Sequence, residues 1–396
     1  MSAERHVLTS EFPPQAGGVS DYVGGLAARL AAAGEQIHVW CPPAPGEAAE
    51  LRPGPRLTIH RALEPDSLAG LRRTGRALDG HPAPLRLNLQ WVPHGFGMRG
   101  MNLPFCAWLA RRVRERGDHL ELMVHEPFLP FAGQPPVIRA AAVVQRLMTR
   151  TLLRVADRVW MSIPGWEPML RPFVGGRGLA FRWLPIPSNI PPVAGPEEAA
   201  SVRSRLGVTD GALIGHFGTY GRETLRALAR VLPDVMRRDS GVHAVLLGRG
   251  GPEARAAVLA GDASLAPRLH ATGGLPAADV SAHLTACDMA LQPYPDGVSS
   301  RRTSVMAVLS HGVPVVTTSG VLTEPLWTDS GAVIATPAGD DPALADAVAA
   351  LVADPAERSR LSRAGRAFYE AHFDWDRIVS ELRGVWSDAP PAALTA

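Results

Sequence analysis

A chain of 396 residues, 46% of them apolar, is longer than one hydrophobic core usually organises, so two domains are expected. Forty cationic side chains against 38 acidic ones leave a formal charge of +2, which provides no global field for nucleic acid or for an anionic membrane. All forty are arginine, in keeping with high-GC coding, and the lack of lysine excludes a Walker-type phosphate loop, a lysine Schiff base and a lysine general base.

Any anion site must therefore use arginine, backbone N–H groups and helix ends. No run of eighteen apolar residues is present, and the opening MSAERHVLTS lacks the parts of a signal peptide. A cytoplasmic protein with at most peripheral membrane contact is expected. Cys41, Cys106 and Cys287 are far apart and match no metal spacing, so they read as reduced thiols in buried positions.

In chain order, β-branched runs predict strands at 5–10, 36–41, 57–61, 85–91, 119–125 and 157–163, alternating with helices near 19–33, 67–78, 102–116 and 137–155. The proline-rich stretch LPIPSNIPPVAGPEEAA (184–200) reads as a connector. Strands then recur at 212–217, 242–247, 268–272, 288–293, 313–318 and 331–335, with helices near 223–238, 252–260, 277–286, 300–311 and 341–353 and a last helical stretch over 355–386. This rhythm predicts an α/β class with two doubly wound, mostly parallel sheets. The expected division is an N-terminal domain over 1–186, a linker over 187–208 and a C-terminal domain over 209–370. A helix over 371–388 crosses back to the first domain, and a disordered tail covers 389–396.

Ligands of open parallel sheets bind beyond the carboxyl ends of the strands, and large ones bind between two such domains. Five loops in those places carry chemistry. In EFPPQAGGVSDYV, Gly17 and Gly18 allow close backbone approach and Ser20 or Asp21 starts the next helix; no G-x-G-x-x-G is present, which weakens a dinucleotide reading. NLQWVPHGFG and ELMVHEPFLP each end a strand with a histidine, His94 and His125, and His125–Glu126 forms an acid/base or hydroxyl-binding pair. Trp91, Phe96, Asn102 and Phe128 stand near these ends and shape an acceptor pocket.

In ALIGHFGTYGRE a strand ends at Phe217–Gly218 and the loop delivers Arg222, able to hold a diphosphate bidentately. In DGVSSRRTSVMAVLSHGVPVV, Ser299 or Ser300 is the N-cap of a helix whose N–H groups make a phosphate cradle, with Arg301 and Arg302 reaching the ligand. The RRVRER run at 111–116 reads as a solvated helix face. No G-x-S-x-G, H-E-x-x-H or C-x-x-C occurs, so hydrolase and zinc readings lack support.

Taken together, FPPQAGGVSDYVGGLAARLAAAGEQIHVW, LMVHEPF, LIGHFGTYGR, LSHGVPVVTT and the stretch from DPALADAV to DWDRIV resemble the retaining, nucleotide-sugar-dependent glycosyltransferases of the family-four group. The resemblance implies a GT-B fold, two Rossmann-like domains with an interdomain cleft, and transfer of a sugar to a hydroxyl acceptor with retention of configuration. It implies no cofactor and no metal, the nucleotide diphosphate sugar being a co-substrate. It places Gly17 and Gly18 near the donor phosphates and acceptor, His125 near the transferred sugar, Arg222 on the diphosphate with Gly218 beside it, and Gly274 and Leu275 on the nucleobase. Asp21, Tyr22, His94 and Glu126 go to the acceptor.

The family's two glutamates, with seven residues between them, fall here on Ser299 and Ala307, and the family lysine after Arg222 is missing. The expectation is that Arg301, Arg302 and the helix-end N–H groups compensate on the diphosphate while Ser299 or Thr303 contacts the sugar or ribose. A catalytically inactive member of the same fold is the rival reading. A nucleotide-sugar epimerase would need carboxylate pairs that the chain does not place in these loops.

Overall fold

A computed structural model describes residues 4–387, with the backbone alone for 385–387. The expected tail at 389–396 lies outside the described residues. The chain forms two compact units: one takes the chain up to Pro185 and from Trp375 onward, the other Ile186–Asp374.

The first unit contains β1 (Arg5–Leu8), α1 (Gly18–Ala32), β2 (Ile37–Trp40), β3 (Glu50–Gly54), β4 (Leu57–His60), α2 (Leu68–Leu78), β5 (Arg86–Trp91), α3 (Leu103–Arg116), β6 (His119–Val124), α4 (Pro136–Leu153), β7 (Arg158–Met161), the short α5 (Glu167–Leu170) and β8 (Ala180–Trp183). Its sheet runs β3-β4-β2-β1-β5-β6-β7-β8. Every neighbour pair is parallel except the β3–β4 pair. The chain leaves β1 toward β2 on one side and later returns to β5 on the other, so the β1/β5 boundary is a switch point where loops diverge and leave a crevice.

The second unit contains α6 (Pro196–Arg205), β9 (Leu213–Phe217), α7 (Arg222–Arg238), β10 (His243–Leu247), α8 (Gly251–Leu259), β11 (Leu269–Ala271), α9 (Ala277–Ala286), β12 (Met289–Gln292), α10 (Thr303–Ser310), β13 (Val315–Ser319), α11 (Pro325–Asp329), β14 (Ile334–Pro337), α12 (Asp341–Ala353) and α13 (Pro355–His372). Its sheet, β11-β10-β9-β12-β13-β14, is wholly parallel and switches at β9/β12. Ile214, Leu246, Met289 and Val316 from the strands meet Leu228, Val231, Val348 and Leu361 from the helices in one buried core. Such burial on both faces of a parallel sheet explains the continuous apolar runs in its strands.

The closing helix α14 (Trp375–Ser387) belongs to the first unit. Trp375 stacks on Tyr22 of α1 with ring centroids 5.8 Å apart, Arg29 lies 4.3 Å over the Trp375 ring, and Arg5 donates to the Leu382 carbonyl at 3.2 Å.

Several elements differ from the sequence reading. The expected linker over 187–208 contains α6, a helix of the second unit that Pro196 starts and whose Glu198 accepts the Gly195 N–H at 2.9 Å. Proline at the first position of a helix loses no internal hydrogen bond, so proline richness here marks a start. The helix expected over 300–311 begins only at Thr303. In the expected solvated run at 111–116, Arg112 is instead buried, pairing with Asp79 at 2.7 Å and Asp118 at 2.9 Å.

Candidate functional site

The second unit builds its site at the β9/β12 switch point. Ile214 and Gly215 of β9 lie beside Met289 and Ala290 of β12, so the loops that follow the two strands emerge together. Thr224 of α7 ties them by donating to the Pro293 carbonyl at 3.3 Å. Gly218 opens the first loop close enough to α10 that a Cβ there would lie 3.4 Å from the Ser304 side chain. Arg222 opens α7 as an exposed residue, and among the described residues its side chain has no hydrogen bond or ion pair. A guanidinium at a helix start beside a sheet's switch point has the chemistry to hold an anion.

The second loop, 293–302, is pressed against the β13–α11 connection. Gly297 has φ +89°, and a Cβ on it would come within 2.1 Å of Thr323 Oγ1 and 2.3 Å of the Gly320 nitrogen, so no other residue fits. Ser300 is buried, and Glu324 reaches under it: the carboxylate accepts the Ser300 backbone N–H at 3.1 Å and also the Ser300 hydroxyl. Burial raises the Glu324 pKa above the usual carboxylate value, with the Ser300 bonds pulling the other way. Ser299 is buried, and among the described residues its hydroxyl has no hydrogen-bond partner. An orphaned buried hydroxyl needs an explanation, and a ligand hydroxyl or phosphate oxygen supplies one.

Two expectations for this loop need correction. Neither Ser299 nor Ser300 caps α10: the N-cap is Arg302, and no side chain caps the helix. The carboxylate of Asp296 grips Arg301 and Arg302 together, and the Arg302 guanidinium also sits 4.7 Å over the Tyr294 ring. Asp296 neutralises part of the charge of this arginine pair, so the compensation expected from it is reduced. Thr303 opens α10. Gly274 and Leu275 lie in the loop after β11, where a Cβ on Gly274 would be 3.0 Å from Arg249 Cγ. Ala307 is buried within α10.

In the first unit, Gly17 and Gly18 follow β1 and start α1. A Cβ on Gly17 would stand 2.3 Å from Glu11 Oε1, which accepts the Ser20 N–H at 2.9 Å, whereas Gly18 faces open space. His125, just past β6, is buried and donates from Nε2 to Gln90 Oε1 at 2.9 Å; Gln90 in turn donates to Asn88. Burial lowers the His125 pKa to about 3, so the ring is neutral at pH 7 and Nδ1 keeps its lone pair. The expected His125–Glu126 pair does not form as an acid/base unit: Glu126 Oε2 lies 3.8 Å from His94 Nδ1, and both side chains are exposed.

Tyr22, expected to touch an acceptor, is buried, its ring edge against His125 at 5.2 Å. It holds the histidine in place. Asp21 is exposed on the first turn of α1. Trp91 and Phe96 are core residues, and buried Asn102 caps α3 by accepting the Phe105 N–H at 3.0 Å, so these three do not form an acceptor wall. Phe128 is half-buried beneath Arg146, 4.1 Å away.

Residues 211–354 match the family model described as Glycosyl transferases group 1. The match lies wholly inside the second unit. Over 388 residues the chain is 25% identical to a phosphatidyl-myo-inositol mannosyltransferase of Mycobacterium leprae (strain TN), covering 93% of this chain and 92% of the relative. Sucrose-phosphate synthase from Thermosynechococcus elongatus superposes with a TM-score of 0.73 at 19% identity, over 97% of this chain and 98% of that one. HepE from Anabaena, in complex with UDP and glucose, superposes with a TM-score of 0.68 at 14% identity, over 97% of this chain and 100% of that one. The fold is GT-B, with two Rossmann-like α/β domains. Within the group 1 match lie Gly218, Arg222, Gly274, Leu275, the whole 296–303 loop and Glu324.

Proposed function

We propose that the chain transfers a hexose from a nucleotide diphosphate sugar to a hydroxyl acceptor with retention of configuration, without a cofactor and in the cytoplasm. Supporting the last point only in part, no helix of the described residues is long and apolar enough to cross a membrane. One observation carries the reading: a group 1 domain places an unpaired Arg222, the uncapped start of α10 and the unpartnered Ser299 hydroxyl around one switch point.

The leaving group in such a transfer is a nucleoside diphosphate, and stabilising its growing charge is the main catalytic task. Arg222 takes the diphosphate, helped by the N–H groups that open α10 at Thr303 and by the net charge that Arg301 and Arg302 retain. Ser299 offers a neutral hydrogen bond to sugar or ribose, and backbone groups at Gly274 and Leu275 hold the base. On the first unit, neutral His125 hydrogen-bonds the transferred sugar, Gly18 lets substrate approach the backbone, and Asp21, His94 and Glu126 serve the acceptor.

A second reading, a nucleotide-sugar-binding protein without turnover, is favoured by one observation: Ser299 and Ala307 stand where a carboxylate pair was expected, and Asp296 occupies both neighbouring arginines. A thermal-shift series with UDP-, GDP- and dTDP-sugars, followed by assay of nucleoside diphosphate release and NMR of the product anomer, tests both. A stabilising donor that is turned over with its anomeric configuration kept supports transfer. Stabilisation without release supports the binding protein, and no stabilisation by any of the three classes rules out both.

A further inference from the structure

Four histidines crowd one face of the first sheet, none of them part of the candidate site. His6 on β1 lies opposite His38 on β2, and Trp40 of β2 lies opposite His60 on β4, so all four residues project to the same side. His81, which follows α2, closes over them edge-on, its ring centroid 4.5 Å from that of His38.

Hydrogen positions set what this cluster can bind. His38 Nδ1 and His60 Nε2 face one another across 3.0 Å. Their outer nitrogens lie near carboxylates, His38 Nε2 3.5 Å from Glu4 Oε2 and His60 Nδ1 3.4 Å from Glu50 Oε2, neither contact being a hydrogen bond. His81 Nδ1 donates to the same Glu4 oxygen at 3.1 Å, so its other nitrogen is a lone pair. A hydrogen on His38 Nδ1 or on His60 Nε2 joins those two rings; with both hydrogens on the outer nitrogens instead, toward Glu4 and Glu50, the three inner nitrogens offer three lone pairs to one ion.

We propose that His38 Nδ1, His60 Nε2 and the inner nitrogen of His81 form a site for a divalent transition metal of the zinc or nickel type, with solvent completing the coordination. One ligand atom from each of the three lies within 4.8 Å of the others. Zinc–nitrogen bonds of about 2.0–2.1 Å set tetrahedral ligand edges near roughly 3.3 Å, so small ring rotations bring the three together. Glu4 and Glu50 stand 3.1 to 3.5 Å from the outer nitrogens, placed to accept their N–H groups once the inner nitrogens ligate, the outer partner that ligating histidines need for tautomer and orientation. The side chains are 9%, 12% and 19% exposed, enough for an ion to enter.

His6 stays outside the ligand set, because Trp40 donates to its Nδ1 at 3.1 Å and so fixes its proton on Nε2. Arg52 engages the other oxygen of Glu50 at 2.9 Å and neutralises part of its charge without taking the oxygen that faces His60.

The test is equilibrium dialysis of the full chain against micromolar zinc, with cobalt(II) absorption as the coordination readout. One metal per chain, a tetrahedral cobalt spectrum and a rise in melting temperature of about 5 °C at a hundredfold excess over Kd are expected. His60→Gln should weaken binding by about 100-fold and Glu50→Gln by about tenfold. His81→Gln, on a more exposed ring, replaces the first variant if that one does not fold. His243→Gln, at the other close histidine pair, should change nothing. Absence of stoichiometric uptake by the folded wild type, uptake undiminished in the variants that fold, or loss of uptake in His243→Gln would overturn the assignment.

Discussion

Glu324 accepts the backbone N–H of Ser300 across 24 residues of chain, at 3.1 Å, from beneath the loop that precedes α10. The bond clamps the loop on its buried side. A carboxylate this deep is costly to ionise, so its worth lies in what it holds.

Removing the acceptor should therefore cost more than removing the charge. Glu324→Ala strands the Ser300 N–H and hydroxyl, and a loss of about 2–4 kcal/mol in the stability of the second unit is expected. Glu324→Gln keeps an acceptor and should cost under about 1 kcal/mol. Because the folded carboxyl titrates above its unfolded value, the native state binds the extra proton, and wild-type stability falls as pH rises from the unfolded value through the folded one. Urea unfolding at pH 4 and pH 7 should show Glu324→Gln gaining on the wild type at the higher pH.

Arg222 and Asp296 should respond in opposite directions to substitution. Arg222→Ala removes an exposed, unpaired guanidinium, so the melting temperature should stay put while kcat/KM for the donor falls by about 100-fold. Asp296→Asn frees Arg301 and Arg302 from their shared carboxylate. Nucleoside diphosphate should bind more tightly by calorimetry, with a steeper salt dependence, and the unit should lose stability.

Adjacent glycines at 17 and 18 should separate cleanly. Gly17→Ala drives a methyl into Glu11 and displaces the carboxylate that accepts the Ser20 N–H at the start of α1, a loss of about 1 kcal/mol. Gly18→Ala meets nothing in the protein and should leave the melting temperature unchanged, while the added methyl lowers transfer rate if the substrate approaches there. Paired melting and kinetic measurements distinguish the two.

Most of this architecture could be read from the chain because buried parallel strands are continuous apolar runs. The two strands missed, Glu50–Gly54 and Ala180–Trp183, are sheet edges with half their residues or more facing water, so they carry no such signal. Gly18, Arg222 and the α10 loop stand out in the chain because each follows a strand end, where the ligands of parallel sheets bind. The clamp on Ser300 and the grip of Asp296 were not. Glu324 sits in a separate loop, and nothing local in TSGVLTEPLW marks which neighbour it meets; Asp296 looked like half of an ordinary Asp-Gly turn. Gln90 offers a faint signal, as Arg86, Asn88 and Gln90 put three polar side chains on one face of a strand whose other face is apolar.

Acid should loosen both units through their buried histidines. Burial lowers His125 in the first unit to about 3 and His216 in the second to about 4, both below an unfolded value near 6.5. The unfolded chain therefore binds the protons first, and the stability these neutral rings contribute is complete above about pH 6.5 and drains away as pH falls toward the folded values, at up to about 1.4 kcal/mol per pH unit for each ring. His216 donates from Nδ1 to the Leu291 carbonyl at 2.8 Å, linking β9 to β12 across the switch point, while its Nε2 is buried without a partner. Asparagine can supply the same donor without titrating. His216→Asn should consequently be less stable than the wild type at pH 7 yet lose less between pH 7 and pH 5 in urea titrations, and the His125 ring proton should keep one chemical shift from pH 8 to pH 5. A His125 resonance that titrates near 6.5 would show that its ring is hydrated rather than sealed behind Tyr22 and Gln90.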